Sequence, residues 1–345
     1  MSLFKKKWIS ILATGVLAMS LTACGSEGGH SSSAQSGQTT DRYPDKPITV
    51  IAPSGAGGGL DKTARALTKA LGETKLVQQT MTVENKPGGG QAVGLAEFVT
   101  KEKKNSYKLF LPSVPLIINN LKKEGNSPYS YKDLTPIAQL TKDYGVILVN
   151  KDSKYKDLKS LFEDMKAHPS KITLAGGSAP GSQDHLIAML PAVKAGIDPK
   201  TIKYISYDGG GEAITALLGG NADVLATDIS GAEEYIRAGK VRALGISSPT
   251  RLKGAQNNIP TYKEQGIDAE FTIWRGLFGS KGMSPEAVKF WEEKIKALSE
   301  TEQWKKELQT NGWENGYKNS ADFKKFLEEQ EKSIQELLTS LDMAK

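Results

Sequence analysis

The sequence has a single cysteine in 345 residues, at position 24. No disulfide can close within the chain, so the fold has to be held by its own hydrophobic core. Histidine is nearly as scarce: His30 lies in a stretch without apolar periodicity, His168 precedes Pro169 at the end of a helical pattern, and His185 opens another. Neither Gly-x-Ser-x-Gly nor His-Glu-x-x-His occurs. With Cys24 near the N-terminus and the histidines scattered, no set of nucleophile, base and orienting partner can be assembled, which argues against an enzyme. No metal site or cofactor is expected. An excess of one charge is also missing, since the formal net charge is only +6 and Lys and Glu are interspersed, as from Lys289 to Lys296. That pattern is a solvated helix face and excludes a nucleic-acid partner.

Long apolar runs are absent apart from Trp8 to Leu21, which follows Lys5, Lys6 and Lys7. The run is shorter than the ~20 residues of a spanning helix, so residues 1–23 read as a cleaved secretory leader rather than a retained anchor. Removing them takes three lysines and no acid and leaves a net charge of +3. Leu21 to Cys24, LTAC, resembles the bacterial lipobox, which implies that Cys24 is diacylated and becomes the mature N-terminus. Residues 24–42, rich in Ser, Gly, Gln and Thr, then read as a lipidated tether.

Glycine, by contrast, is plentiful and clustered. Ile48 to Leu71 reads ITVIAPSGAGGGLDKTARALTKAL, an apolar run that breaks into Gly55, Gly57, Gly58 and Gly59 and then into a helical spacing of Ala64, Leu67 and Leu71. Strand, bare-backbone turn and helix follow in that order. A helix N-terminus carries unpaired N–H groups and the positive end of the peptide dipole, and glycine lets an anion approach it. The nucleotide motifs fail letter by letter: no Gly-x-x-x-x-Gly-Lys can be drawn here, and Leu60 stands where Gly-x-Gly-x-x-Gly needs glycine. This stretch alone is equally consistent with a tight turn in which Asp61 is the N-cap.

The same unit recurs. Gly88-Gly89-Gly90-Gln91 precedes a helical face at Ala92, Leu95, Ala96 and Val99; Gly176-Gly177-Ser178-Ala179-Pro180-Gly181-Ser182 precedes Leu186, Met189 and Leu190; Gly209-Gly210-Gly211 precedes Ile214, Leu217 and Leu218. Pro136 to Leu140 and Gly145 to Asn150 read as two further strands, and Phe271 to Ser280 as an extended run long enough to cross between lobes. Ser284-Pro285 has the order of a helix start. The alternation predicts an α/β protein of two lobes, each a mainly parallel sheet flanked by helices, with several glycine turns facing one another across a cleft. No internal sequence repeat is present.

The order YPDKPITVIAPSGAGGGLD (Tyr43 to Asp61), VENKPGGGQAVG (Val83 to Gly94), AGGSAPGSQDHL (Ala175 to Leu186), YDGGGEAITALLGG (Tyr207 to Gly220) and WRGLFGSKGMSPE (Trp274 to Glu286) resembles the substrate-binding proteins of tripartite tricarboxylate transporters, the Bug receptors. The resemblance covers nearly all of residues 43–345. It implies a type II periplasmic-binding-protein fold, with lobe 1 formed by residues 43–145 plus 272–345 and lobe 2 by residues 146–271. It further implies a monomer at the outer face of the cell membrane, held there by the lipid on Cys24. That protein would capture a di- or tricarboxylate or other organic acid and deliver it to a large and a small membrane subunit. A lipoprotein feeding a sensor kinase, or a secreted hydrolase, are the competing functions.

In such receptors the loops matching Ser54 to Asp61 and Ser178 to His185 face each other and hold a carboxylate. The candidate ligand set here is Ser54, Ala56, Gly57, Gly58, Gly59, Asp61, Gln91, Ser178, Ser182, His185, Thr227 and Arg275. Gly57, Gly58 and Gly59 are expected to donate N–H groups, and Asp61 to cap its helix, because a carboxylate repels a carboxylate. Ser178 and Ser182 serve as hydroxyl donors or as caps, and His185 as a packed group or a ligand contact. Arg275 is expected to grip a distal carboxylate through its fork, the alternative being a surface ion pair. Trp274 either lines the cleft or packs between layers. This chain departs from the family where Ser54-Gly55-Ala56 replaces a common Phe-Pro-Pro, Leu60 a Thr, Asp208 a Lys, and Asp184 a Ser or Thr.

Overall fold

Residues 43–345 apart from Asn126 and Asp208 are described by a computed structural model of the chain. Cys24, the leader, the tether and Asp208 therefore lie outside the described residues. Strand β1 (Ile48–Ala52) forms at the predicted apolar run, with every residue but Thr49 buried. Helix α1 (Gly59–Glu73) follows and turns Ala64, Leu67 and Leu71 wholly inward. Burying a leucine in this way stabilises the fold by about 1.5–3 kcal/mol. Next come β2 (Met81–Asn85), α2 (Ala92–Lys101), β3 (Lys108–Phe110) and α3 (Pro115–Leu121). Strand β4 (Leu134–Asn150) is one element of 17 residues. The two separate strands predicted within it are thus a single strand. Thr141, Lys142 and Asp143 looked like a break because they are polar, but they stay in the ladder, and Thr141 and Asp143 are buried.

Beyond β4 the chain runs through α4 (Leu158–Ala167), β5 (Thr173–Gly176), α5 (Gln183–Lys194), β6 (Lys203–Ser206), α6 (Gly210–Leu218), β7 (Val224–Asp228), α7 (Ile229–Arg237) and β8 (Val241–Ile246). Strand β9 (Thr272–Ser280) returns it, and α8 (Pro285–Ser299), α9 (Glu302–Thr310), β10 (Glu314–Lys318) and α10 (Ser320–Ser340) complete it. Ser284 caps α8 as its sequence predicts, accepting the Ala287 N–H at 3.2 Å.

The ten strands form a mixed sheet in the order β2-β1-β3-β9-β4-β7-β5-β6, with β10 and β8 also on β4. The predicted parallel pairing holds for β2-β1-β3 and for β7-β5-β6. Strands β4 and β9 pair antiparallel with each other and with their other neighbours, so the sheet is mixed rather than mainly parallel. Strand β4 changes partners along its length: Leu134 to Tyr144 pair with β9, and Gly145 to Val149 pair with β7. At the changeover Ser247, fully buried, joins two passages of chain. Its hydroxyl accepts the Gly145 N–H at 2.8 Å and donates to the Phe271 carbonyl at 2.6 Å. Its own N–H donates to the Gly145 carbonyl at 2.8 Å.

Alternation along β9 sends Trp274 and Arg275 to opposite faces. Trp274 is fully buried and packs against Phe278 and Phe323, so of its two expected roles it takes the packing one. Gly276 is required by that packing, since a Cβ there would lie 2.3 Å from the Phe323 ring.

Candidate functional site

The turn between β1 and α1 is held from inside by Asp61. This carboxylate is not the N-cap that the sequence suggests: Gly58 is the N-cap, and Asp61 stands in the first turn and reaches back. Its Oδ2 accepts the Gly57 N–H at 2.8 Å and Arg65 Nε at 3.0 Å, and its Oδ1 accepts Asn85 Nδ2 at 3.0 Å. Burial alone would raise the Asp61 pKa, but the hydrogen bonds from Arg65, Gly57 and Asn85 outweigh it and hold the carboxyl below its ordinary value. The consequence for the expected anion donors is specific. Gly57 spends its N–H on Asp61, and Gly58 donates to the Gly55 carbonyl at 3.2 Å. The N–H groups of Gly59 and Leu60 have no acceptor among the described residues. Ser54 keeps its hydroxyl near the Gly55 carbonyl at 3.3 Å, and Ala56 is exposed on the rim.

Arg275 lies directly against this helix start. A Cβ on Gly59 would sit 3.1 Å from Arg275 Nη2, so the guanidinium closely approaches the bare backbone of the helix start. The arginine is not a surface residue, with only 6% of its area exposed. Its guanidinium stacks 4.8 Å from the centroid of Trp313, and Nη2 is 3.8 Å from Asp143 Oδ2. Nη1 is buried without a hydrogen-bond partner. An unsatisfied buried donor of this kind costs about 1–3 kcal/mol, more for a charged group, and marks a position where an acceptor belongs. Arg275, Gly57 and Gly59 line a cleft of about 690 Å³, whose other wall includes Asp228, Ser230 and Glu233. That volume lies in the range of small-molecule sites. Asp143, fully buried behind Arg275, is pushed up to about 7 by burial and by the Asp228 charge, against the pull of Arg275.

The model of the family described as tripartite tricarboxylate transporter family receptor, TctC, matches residues 63–343. The chain belongs to this receptor family. BugT of Bordetella pertussis is 33% identical over 258 residues, covering 72% of the receptor and 75% of that protein. A TctC solute-binding protein from Polaromonas superposes with a TM-score of 0.71 at 28% identity, over 86% of the receptor and 99% of that chain. A Rhodopseudomonas palustris protein with adipate superposes with a TM-score of 0.77 over 88% of the receptor and 99% of that chain, at 21% identity, a likeness of fold. The expected α/β periplasmic-binding-protein architecture is thereby found. No helix among the described residues of the receptor is long and apolar enough to cross a membrane.

The other expected site residues are tied to the receptor's own frame. Ser178 Oγ accepts the Asp184 N–H at 2.9 Å, so it serves the first turn of α5. Ser182 is the N-cap residue of α5 and makes no side-chain cap bond. Asp184 mirrors Asp61, accepting the Gly177 N–H at 2.7 Å, and burial with the Asp228 charge pushes it up to about 7. His185 Nδ1 accepts the Gly181 N–H at 3.1 Å, its ring meets Tyr204 edge-on, and burial with Lys122 lowers its pKa to about 4. It is therefore a packed, neutral histidine. Gln91, in a left-handed conformation at φ 82°, accepts the Ser113 N–H at 3.1 Å. Thr227 is buried in β7 opposite Val146. None of Gln91, Ser178, Ser182, His185 and Thr227 lines the cleft that Arg275 lines. Sequence reasoning missed Asp143, Asp228, Ser230 and Trp313. The available signal was the polar Lys142-Asp143 inside a run of strand residues, and an Asp before Ile-Ser-Gly at a helix start.

Proposed function

We propose that the receptor captures an organic acid by holding one carboxylate between the α1 N-terminus and Arg275, and delivers it to the large and small membrane subunits of a tripartite transporter. One observation carries the carboxylate reading. Gly59, whose N–H has no acceptor among the described residues, and Arg275, whose Nη1 has no partner, bring two positive features together in the lining of one cleft. A guanidinium against the positive end of a helix is repulsive until an anion sits between them. Arg275 thus acts on the same carboxylate as the glycine turn, and not on a distal one. The adipate bound to a protein of the same fold is a dicarboxylate and supports this class of ligand.

Residues 43–145 with 272–345, and residues 146–271, act as the two lobes, with hinges where β4 passes Gly145 and β9 begins at Thr272. The ligand favours closure to the extent that it binds the closed state better. Cys24 carries the lipid that keeps the receptor at the outer face of the cell membrane. In a thermal-shift panel on the full-length protein in detergent, a di- or tricarboxylate should stabilise by about 2.7 kcal/mol at a hundredfold excess over Kd. Stabilisation by sugars, with no response to any organic acid, would refute the assignment.

A further inference from the structure

Behind Arg275 one hydroxyl stands between two carboxylates. Ser230 Oγ, brought in by α7, lies 2.5 Å from Asp143 Oδ2 and 3.0 Å from Asp228 Oδ1. A hydroxyl has one proton to donate, so both contacts are hydrogen bonds only when one of the two carboxyls carries a proton of its own. Asp143 is the one suited to hold it. Only 1% of its area is exposed, its Oδ1 accepts the Tyr144 N–H at 2.8 Å, and Arg275 Nη2 stands 3.8 Å from Oδ2, too far for a hydrogen bond. Asp228 lines the cleft instead and also accepts the Gly231 N–H at 2.7 Å. The other charged groups of the surrounding elements are placed elsewhere. By alternation Lys142 and Tyr144 point to the opposite face of β4, where each meets Glu314 of β10 at 3.3 Å. Lys62 of α1 and Glu233, Glu234 and Arg237 of α7 line the cleft, and Asp184 of α5 is under the charge of Asp228. Burial and Asp228, against the pull of Arg275, bring the titration of Asp143 to about pH 7.

Arg275 links this buried proton to the cleft. While Asp143 is ionised it holds part of the guanidinium's charge, and a carboxylate arriving at the unpartnered Nη1 puts a second anion beside a buried one. With a proton on Asp143 the whole charge of Arg275 is left to the ligand. Resting on the carboxylate reading above, we infer that Asp143 is a positioning residue that acts through Arg275, and that the receptor takes up a proton at Asp143 when it binds an organic acid. The proton comes from solvent and adds to Oδ2, which then donates to Ser230 Oγ while that hydroxyl donates to Asp228; no bond of the ligand changes. Asp143 and Ser230 lie on either side of the β4 changeover, so the same proton completes a hydrogen bond between residues 146–271 and the rest of the chain.

The test is calorimetric titration of the full-length receptor in detergent with succinate, glutarate, adipate and benzoate, all of them ionised above about pH 6.5. At about pH 7.5, midway through the expected titration, the tightest of the four should give binding enthalpies in HEPES and in Tris that differ by the uptake of a fraction of a proton. Its Kd should rise about fivefold between about pH 6.5 and 8.5, as a one-unit rise in the Asp143 pKa on binding requires. Asp143→Asn imitates the protonated carboxyl, since its amide N–H donates to Ser230 and its carbonyl accepts the Tyr144 N–H. That variant should bind at about pH 8.5 as tightly as the wild type does at about pH 6.5, with no proton taken up, whereas a merely structural role would weaken binding at every pH. Asp184→Asn should leave the pH dependence in place; its loss there would move the proton to Asp184 and overturn the inference. Should Asp143→Asn fail to fold, the wild-type series and Asp184→Asn still decide. Binding whose Kd changes less than about twofold over this range, with equal enthalpies in the two buffers, would overturn the inference and leave the carboxylate reading standing. Absence of binding by all four acids would overturn both.

Discussion

Replacing Arg275 with lysine separates the charge of this residue from its shape. Lysine keeps a cation beside Asp143, so the buried carboxylate is not left alone, and the fold should survive. What is lost is the planar fork whose Nη1 awaits an acceptor, and the stacking on Trp313 at 4.8 Å. A hydrogen bond to a charged partner is worth about 1.5–3 kcal/mol, so Kd for the tightest organic acid should rise about 10- to 150-fold. Loss of a desolvated cation–π contact takes up to about 2 kcal/mol from the unliganded protein, a fall in Tm of up to about 3 °C for a chain of this length. Calorimetry gives the first quantity and thermal unfolding the second. If Kd stays within about threefold while Tm falls, Arg275 is a structural residue and the clamp is wrong.

Two further outcomes follow from the buried carboxyls. Asp143 and Asp184 are raised from 3.8 to about 7, so the native protein holds protons that the unfolded chain has released. Their contribution to stability is complete below the unfolded value and lost as pH rises through about 7. His185, lowered from 6.5 to about 4, acts in the opposite sense only below its unfolded value. Tm in heat scans should therefore fall between about pH 4 and 7, most steeply above about pH 6.5 where His185 no longer opposes, and level off above 7, and Asp143→Asn should reduce that slope; an unchanged slope would show that Asp143 does not titrate there. Asp61→Ala strands the Gly57 N–H and Asn85, and should cost about 1–3 kcal/mol in denaturant unfolding, whereas a loss below about 0.5 kcal/mol would mean that the turn holds its shape unaided.

The glycine turns were legible because each sits between an apolar run and a helical spacing, and both patterns are local. Arg275 was legible for a similar reason, as a lone cation inside Thr272 to Ser280, where the neighbouring residues are apolar or small. The role of Asp61 was half legible: its avoidance of the ligand could be argued from charge, but its position could not, because the acceptor reaches back four residues rather than capping forward. Asp143 was not legible at all. A polar residue flanked by Lys142 and Tyr144 reads as a loop until β9 pairs across it and Ser230 arrives from α7, contacts 87 residues apart in the chain. Ser178 and His185 show the converse. Their polarity suggested a ligand, and the structure also uses their acceptor atoms, Ser178 Oγ and His185 Nδ1, to take up backbone N–H groups of the same turn.

The Ser247 junction bears on how such receptors diversify. Tyr144 on β4 lies beside Thr272 on β9, so the chain departs into residues 146–271 and comes back at neighbouring points. Ser247 fastens Gly145 and Phe271 at those points through hydrogen bonds to both. The intervening segment leaves and re-enters the rest of the chain at one junction, and beyond it Ser230 reaches back to Asp143 and the hydrophobic core is shared. Exchanging it between relatives would need Gly145, Ser247 and Phe271 matched at the join and the Asp143–Ser230 contact and the shared core matched beyond it, and would move the Asp228 wall to a new context while the Arg275 wall stays in place.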